Sequence, residues 1–245
     1  MFDVMDFSVS DMAACGKFFR DLEGKNDSME TVAIALTQTI YNQFINKQTD
    51  ERNFSLVRFF KTHSYGKLPT ELQDFLVNTF ADKPGFEYQP ESETKCLTLL
   101  GTCGDKPEWK DRRSSATHQA IPLYSEILVK KLPMVSGLID QFGLSISEVI
   151  KPDRSIQIDQ SKKDYNVFYV SHAKGSTFIP MQEEFVVPMG IESVLGFGGL
   201  LPDGDMFAII IFSKDPIPET AAMMFKTISL SVKTAILPFD ENVFA

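Results

Sequence analysis

The chain has 245 residues, 43% of them apolar and 23% charged, enough for one sizeable core or two small ones. Its net charge of −9 repels a phosphate backbone, so nucleic acid is disfavoured as a partner. No apolar run approaches the ~18 residues of a membrane span. The start, Met1-Phe-Asp-Val-Met-Asp6, is acidic where a secretory signal needs positive charge, and Cys15, Cys96 and Cys103 fit neither a disulfide framework nor a zinc pair. A soluble cytoplasmic protein with reduced thiols and no membrane partner is expected.

Phenylalanine is over-used, with 21 residues against one tryptophan and six tyrosines. So much rigid apolar volume suggests a thick core, with room for a lined cavity.

In chain order, Met12, Cys15, Phe18, Phe19 and Leu22 recur at three-and-four spacing, which predicts a helix over 8–22. Gly24 breaks it. A second helix opens at Asp27, with Glu30 completing a capping box, and carries Ala33, Leu36, Ile40 and Phe44 on one face. Residues 53–61 read as a strand crowded with phenylalanine and interrupted by one charge, Arg58. Pro69 starts a short helix through Phe80, 82–94 is irregular, and 95–101 is a second strand.

From Gly104 to Pro122 the chain is polar and irregular, longer than a connecting turn requires. Helical runs follow over 125–150, interrupted at Pro133 and Gly143. A short strand at 153–161 and a firmer one at 165–170 come next, then a brief helix over 180–188 bearing Glu183 and Glu184. Strands at 193–200 and 206–212 flank the turn residues Leu201-Pro-Asp-Gly-Asp205, and a helix runs from Ile217 to Leu237. With no break in composition, 1–245 reads as one domain. Residues 1–27 form a helical extension, 28–237 the core with an insert at about 104–165, and 238–245 a tail. The element order predicts a mixed α/β (α+β) fold with a mainly antiparallel sheet.

The run from Phe185 to Lys214, with Ile191-Glu-Ser-Val-Leu195 leading into the hairpin, resembles the end of a GAF domain. Residues 30–60 resemble its start, an amphipathic helix feeding the first strand. The segments around Arg58-Phe-Phe-Lys-Thr-His63, Cys96–Gly101, Glu108–Arg112 and His118–Leu123 are similar to the input regions of bacterial sensor histidine kinases. The resemblance implies about six antiparallel strands with the terminal helices on one face. It also implies a ligand cavity on the other face, under the insert and the short helix. The function it implies is a small-molecule-binding sensory module in bacterial signal transduction, without catalysis of its own.

Lys110, Arg112, Arg113, Ser114, Ser115, Thr117 and His118 gather the densest set of donors in an acidic chain. Such groups suit a carboxylate, phosphate or other oxyanion, or else they form a solvated loop paired with surface carboxylates. The expected site for a small polar or anionic ligand is therefore Arg58, Trp109, Arg112, Arg113, Ser115 and His118. Gly196-Phe-Gly-Gly199 precedes a hairpin rather than a helix and is read as a packing feature, not a phosphate loop. His63, His118 and His172 share no metal-ligand spacing, so no metal is expected, although one axial histidine would suffice for a haem. Cys96 and Cys103 lie seven apart, which on one regular strand puts them on opposite sides; a thiol-dependent reductase of GAF fold is the enzyme alternative. Met223, Leu230 and Leu237 form a second stripe on the last helix, to be covered by residues 8–46 or by a second copy in a homodimer through the terminal helices.

Overall fold

The structure, a computed structural model, describes residues 1–80, 90–152 and 166–245. The strand expected at 153–161, the first residue of the one expected at 165–170, and most of the irregular stretch at 82–94 lie outside the described residues. Six strands form one sheet: β1 (Phe54–Ser64), β2 (Lys95–Gly104), β3 (Ala120–Pro122), β4 (Phe168–Val170), β5 (Ser193–Leu200) and β6 (Met206–Ser213). Their order is β3-β2-β1-β6-β5-β4, and every pairing is antiparallel. β3 was read as part of the polar loop, because three residues are too few to show alternation. The β5–β6 hairpin closes through Gly204, whose φ of 87° suits a residue without a Cβ.

β1 is the central strand, and its alternation sorts the core. Val57 and Phe59 face one side with Phe207, Ile209 and Ile211 of β6, while Leu56 and Phe60 face the other with Ala208, Ile210 and Phe212. The first side is covered by α1 (Val9–Arg20), α2 (Met29–Gln43) and the last helix, α7 (Glu219–Ile236). The terminal helices therefore share one face, as the sequence suggested. A Cβ on Gly101 of β2 would lie only 2.5 Å from the Ala33 carbonyl oxygen, so glycine sets how closely α2 approaches the sheet. α1 lies on α7, where Arg20 Nη1 donates to Ser231 Oγ at 2.6 Å.

Three local expectations need correction. The α2 cap is Ser28 rather than Asp27: Ser28 Oγ accepts from Thr31 N–H, and Thr31 Oγ1 accepts from Ser28 N–H, both at 3.1 Å. Glu30 is thereby spared from capping and buried beneath the insert. Cys96 and Cys103 face the same, helix-bearing side, not opposite ones. Phe59 pairs with Gly101 and Phe60 with Leu99, so Leu100 is an extra residue that reverses the alternation of β2. The segment expected as a tail is also integral. The Asn242 and Val243 carbonyls accept from the Met29 and Glu30 N–H groups at the open N-terminus of α2, at 3.0 and 2.8 Å.

A buried charge cluster ties the hairpin to β1, β2 and the chain after α7. Lys61, 1% exposed, has its Nζ 3.2 Å from Asp205, 3.8 Å from Asp203 and 3.6 Å from Asp240, and Lys95 also pairs with Asp205. Burial pushes the Asp205 carboxyl up, but the two ammonium groups outweigh it and hold the group well below the usual carboxylate range.

The other face is covered by the described helices of the insert, α4 (Glu126–Lys130), α5 (Pro133–Gln141) and α6 (Ile146–Ile150), with two short 3-10 turns at Pro107–Trp109 and Arg112–Ser114. Pro133 opens α5, and Gly143, at φ 76°, follows it. Among the described residues no helix is long and apolar enough to cross a membrane.

Asp205→Asn removes the closest countercharge of the buried Lys61 and is expected to cost about 3 kcal/mol in urea unfolding at pH 7. Asp205 binds its proton less readily folded than unfolded, so its contribution is complete above about pH 4 and is lost as pH falls through the depressed folded value. The wild type and the variant should therefore converge in stability under acid conditions.

Candidate functional site

Between the sheet and the insert lies a cavity of about 410 Å³. Its floor is made by Leu56, Arg58 and Phe60 of β1 and by Met206, Ala208, Ile210 and Phe212 of β6. These are alternate residues of two adjacent strands, so they share a face. Residues 114–118 form one wall, Met134 and Leu138 of α5 another, and the segment from Ile179 to Phe185 a third.

The first and third walls are anchored by hydrogen bonds. Thr102 Oγ1 donates to the Trp109 carbonyl at 3.0 Å, fixing the first 3-10 turn on β2. The Trp109 ring meets Phe185 edge-on at 5.6 Å, and Phe185 meets Phe212 of the floor at 4.9 Å. Lys106 Nζ lies over the indole at 5.0 Å. Asp111 caps the second turn by accepting from Arg113 N–H, and Gln119 Nε2 donates to the Arg113 and Ser115 carbonyls at 2.9 and 3.1 Å. The third wall turns at Met181, a left-handed residue (φ 61°), into a π-helical turn at Gln182–Val186. The Gln182 amide supports that turn by donating to the Ala173 and Ile179 carbonyls at 3.1 and 2.8 Å.

The expected site residues divide between two places. Arg58, Trp109, Ser115 and His118 line the cavity. Arg112 and Arg113 do not, which corrects the expectation that the whole donor cluster converges there. The Arg112 side chain is buried and turns away: Nε bonds Glu30, and Nη2 donates to Glu71 of α3 (Thr70–Phe80) at 2.8 Å. Glu30 is itself only 1% exposed, so the two buried groups neutralise each other. Burial opposes the Arg112 charge, but the two carboxylates outweigh it and hold the pKa above its ordinary value. Arg113 is half exposed, 3.7 Å from Glu30 and 3.8 Å from Glu71.

Arg58 stands at the centre of the floor and is the one residue of β1 that is not fully buried. On the sheet its same-face neighbours Leu56 and Phe60 and its β6 partner Ile210 are apolar, and the hydroxyl of its β2 partner Thr102 is already committed to Trp109. Among the described residues its Nε has no hydrogen-bond partner and no carboxylate pairs with its guanidinium. Burial alone pushes the group down to about 10.

Of the three histidines only His118 lines the cavity, with Thr117 Oγ1 2.8 Å from its Nδ1. His63 is buried on the helix side against Phe244, and His172 is exposed beside Ser171. No group of three His, Cys, Asp or Glu residues is placed to hold a metal ion among the described residues. All three cysteines are buried, and burial pushes Cys15 and Cys96 up to about 12 and Cys103 up as well.

Sequence reasoning missed the apolar walls, including Met134, Leu138, Met181 and Phe185. No periodic signal marks them. Both faces of β6 are apolar, so its run 206–212 does not reveal which residues see a cavity and which see a helix.

Arg112 and Arg58 should respond in opposite ways. Arg112→Ala leaves Glu30 buried without its closest partner and is expected to cost about 3–5 kcal/mol. Arg58→Met removes an uncompensated charge from an apolar floor and should raise the stability of the unliganded chain by about 1–3 kcal/mol. Chemical denaturation of the two variants beside the wild type checks both.

No protein-family model matches the chain, and no curated protein matches it. Among solved structures it is similar to the GAF domain of a phosphoenolpyruvate-protein phosphotransferase from Acinetobacter, at 11% identity and a TM-score of 0.43 with 94% of each chain covered. It is also similar to two GAF domains of cyanobacterial phytochromes, each at 9% identity. The phycoerythrobilin-bound one has a TM-score of 0.43, covering 92% of this chain and 94% of that one, and the phycocyanobilin-bound one 0.44, covering 93% and 94%. The GAF-like resemblance read from the sequence is thus met among solved structures.

Proposed function

We propose that this chain is a small-molecule-binding module of sensory or regulatory kind, with no catalysis of its own, which holds its ligand between the sheet and the insert. The observation that carries this reading is the cavity itself. At about 410 Å³ it falls within the ~300–1,000 Å³ usual for small-molecule sites. It is apolar almost throughout and has a largely buried cation, Arg58, at its floor.

A route from the cavity to the terminal helices supports the regulatory part. The wall at 114–118 follows directly on Arg112, which is bound to Glu30 in the first turn of α2. Glu30 Oε2 in turn accepts from Ala245 N–H at 3.1 Å, and the Glu30 N–H donates to the Val243 carbonyl. A ligand that favours one position of the wall would bias this junction of α2 and the chain end through its differential affinity. The natural setting of such a device is signal transduction in a bacterial cytoplasm. The apolar stripe Met223, Leu230 and Leu237 is exposed along α7 and its end, and it suits a two-fold contact with a second copy.

Thiol reduction is the weaker reading. The three cysteines are buried, and their raised pKa values oppose the thiolate that such chemistry requires.

Native mass spectrometry of the purified chain should reveal a retained small molecule that is absent after unfolding and refolding, and adding it back should raise the thermal midpoint. Sedimentation at about tens of micromolar should give a dimer, and Leu230→Glu should turn it to monomer. A monomeric wild type would remove the two-fold contact from the proposal.

A further inference from the structure

We infer that the cavity takes a monocarboxylic acid with an apolar body, its carboxylate paired with Arg58 on the floor and its hydrocarbon or aromatic part against the walls. This rests on the reading of the cavity as a ligand site and adds the class of ligand.

The chain's own treatment of buried cations points there. Lys61 is surrounded by Asp203, Asp205 and Asp240 on the helix side. Arg112 is held by Glu30 and Glu71. Arg58 is the contrast: it lies on the central strand among Leu56, Phe60 and Ile210, its Nε without a partner and no carboxylate beside its guanidinium among the described residues. Among the described residues, the fully buried cations Lys61 and Arg112 face no cavity and are neutralised from within. Arg58, less fully buried, lines the cavity, so its counter-ion is supplied by what enters.

The charge that fits is single. Among the described residues, the charged ones lining the cavity besides Arg58 are Lys106, engaged over the Trp109 ring, and the carboxylates Glu108 and Glu184. One floor cation with two acids among the walls suits a monoanion and opposes phosphate esters and other polyanions. A guanidinium matches the planar carboxylate with paired hydrogen bonds. Apart from the wall at 114–118, with Ser114, Ser115, Thr117 and His118, the surface offers little polarity for a hydrophilic body. Ala208, Ile210 and Leu138 present only hydrocarbon, and Met134, Met181 and Met206 adapt to different apolar shapes.

The sole tryptophan, Trp109, lines the cavity and supplies a built-in reporter. The full chain would be titrated with octanoate, octanamide and inorganic phosphate, following Trp109 emission and, in parallel, the thermal midpoint. Octanoate should bind about ten- to a hundred-fold more tightly than the isosteric amide, and phosphate should neither bind nor displace it. Arg58→Met should bind octanoate and octanamide equally, and Arg58→Lys should keep part of the preference for the acid. Equal binding of acid and amide by the wild type would overturn the carboxylate assignment while leaving the cavity as a ligand site. Displacement of octanoate by phosphate would overturn the assignment to a monocarboxylate in the same way. Failure of both octanoate and octanamide to change either signal would overturn the ligand-site reading itself.

Discussion

The buried ion pair of Arg112 with Glu30 ties the start of the insert to α2, and the cavity wall at 114–118 begins beside it. The stretch from Gly104 to Gln119 is also held by the Thr102 bond to the Trp109 carbonyl and by the Trp109 ring against Phe185, and the ion pair adds a charged anchor. With it, Arg112 is drawn down onto the first turn of α2, and the residues that follow run across the open face as a wall. Desolvating two charges is costly, and the geometry here repays it: Arg112 bonds both Glu30 and Glu71, and Glu30 also receives the Ala245 N–H. The same contact gathers the insert, α2, α3 and the chain end at one junction.

The two faces of the sheet are covered by different means, and that difference produces the site. On one side long helices bring broad apolar stripes, and Gly101 lets the α2 backbone come into direct contact with β2. Such an interface closes to the density of a protein interior. On the other side the cover is short helices, turns and loop. These pieces meet the sheet at their edges, through Leu138, Trp109 and Phe185, and leave a lined space over the middle of β1 and β6. Arg58 stands at that middle. A cation in such a place is expected to destabilise the empty protein.

Much of the architecture was legible in the sequence. Three-and-four spacing marks α1, α2 and α7, and the turn residues at 201–205 mark the β5–β6 hairpin, because these elements depend on local periodicity and turn chemistry. Arg58 was conspicuous as one charge in an aromatic strand. The single break within β2 was not legible. The extra residue Leu100 reverses the parity of the strand, and nothing local distinguishes a bulge from a continuing run.

The donor cluster marks the boundary between the two kinds of information. The sequence by itself determined that Arg112, Arg113, Ser115 and His118 belong to one long loop in an acidic chain, and that such a loop requires partners. It did not determine which partners, since Glu30 and Glu71 lie 82 and 41 positions from Arg112 along the chain. Only the tertiary structure sent Arg112 to those carboxylates and left Ser115 and His118 over the cavity. The physical reason is that a buried charge is placed by whatever opposite charge the fold brings within reach, and that reach is set by packing between distant elements rather than by neighbours in sequence.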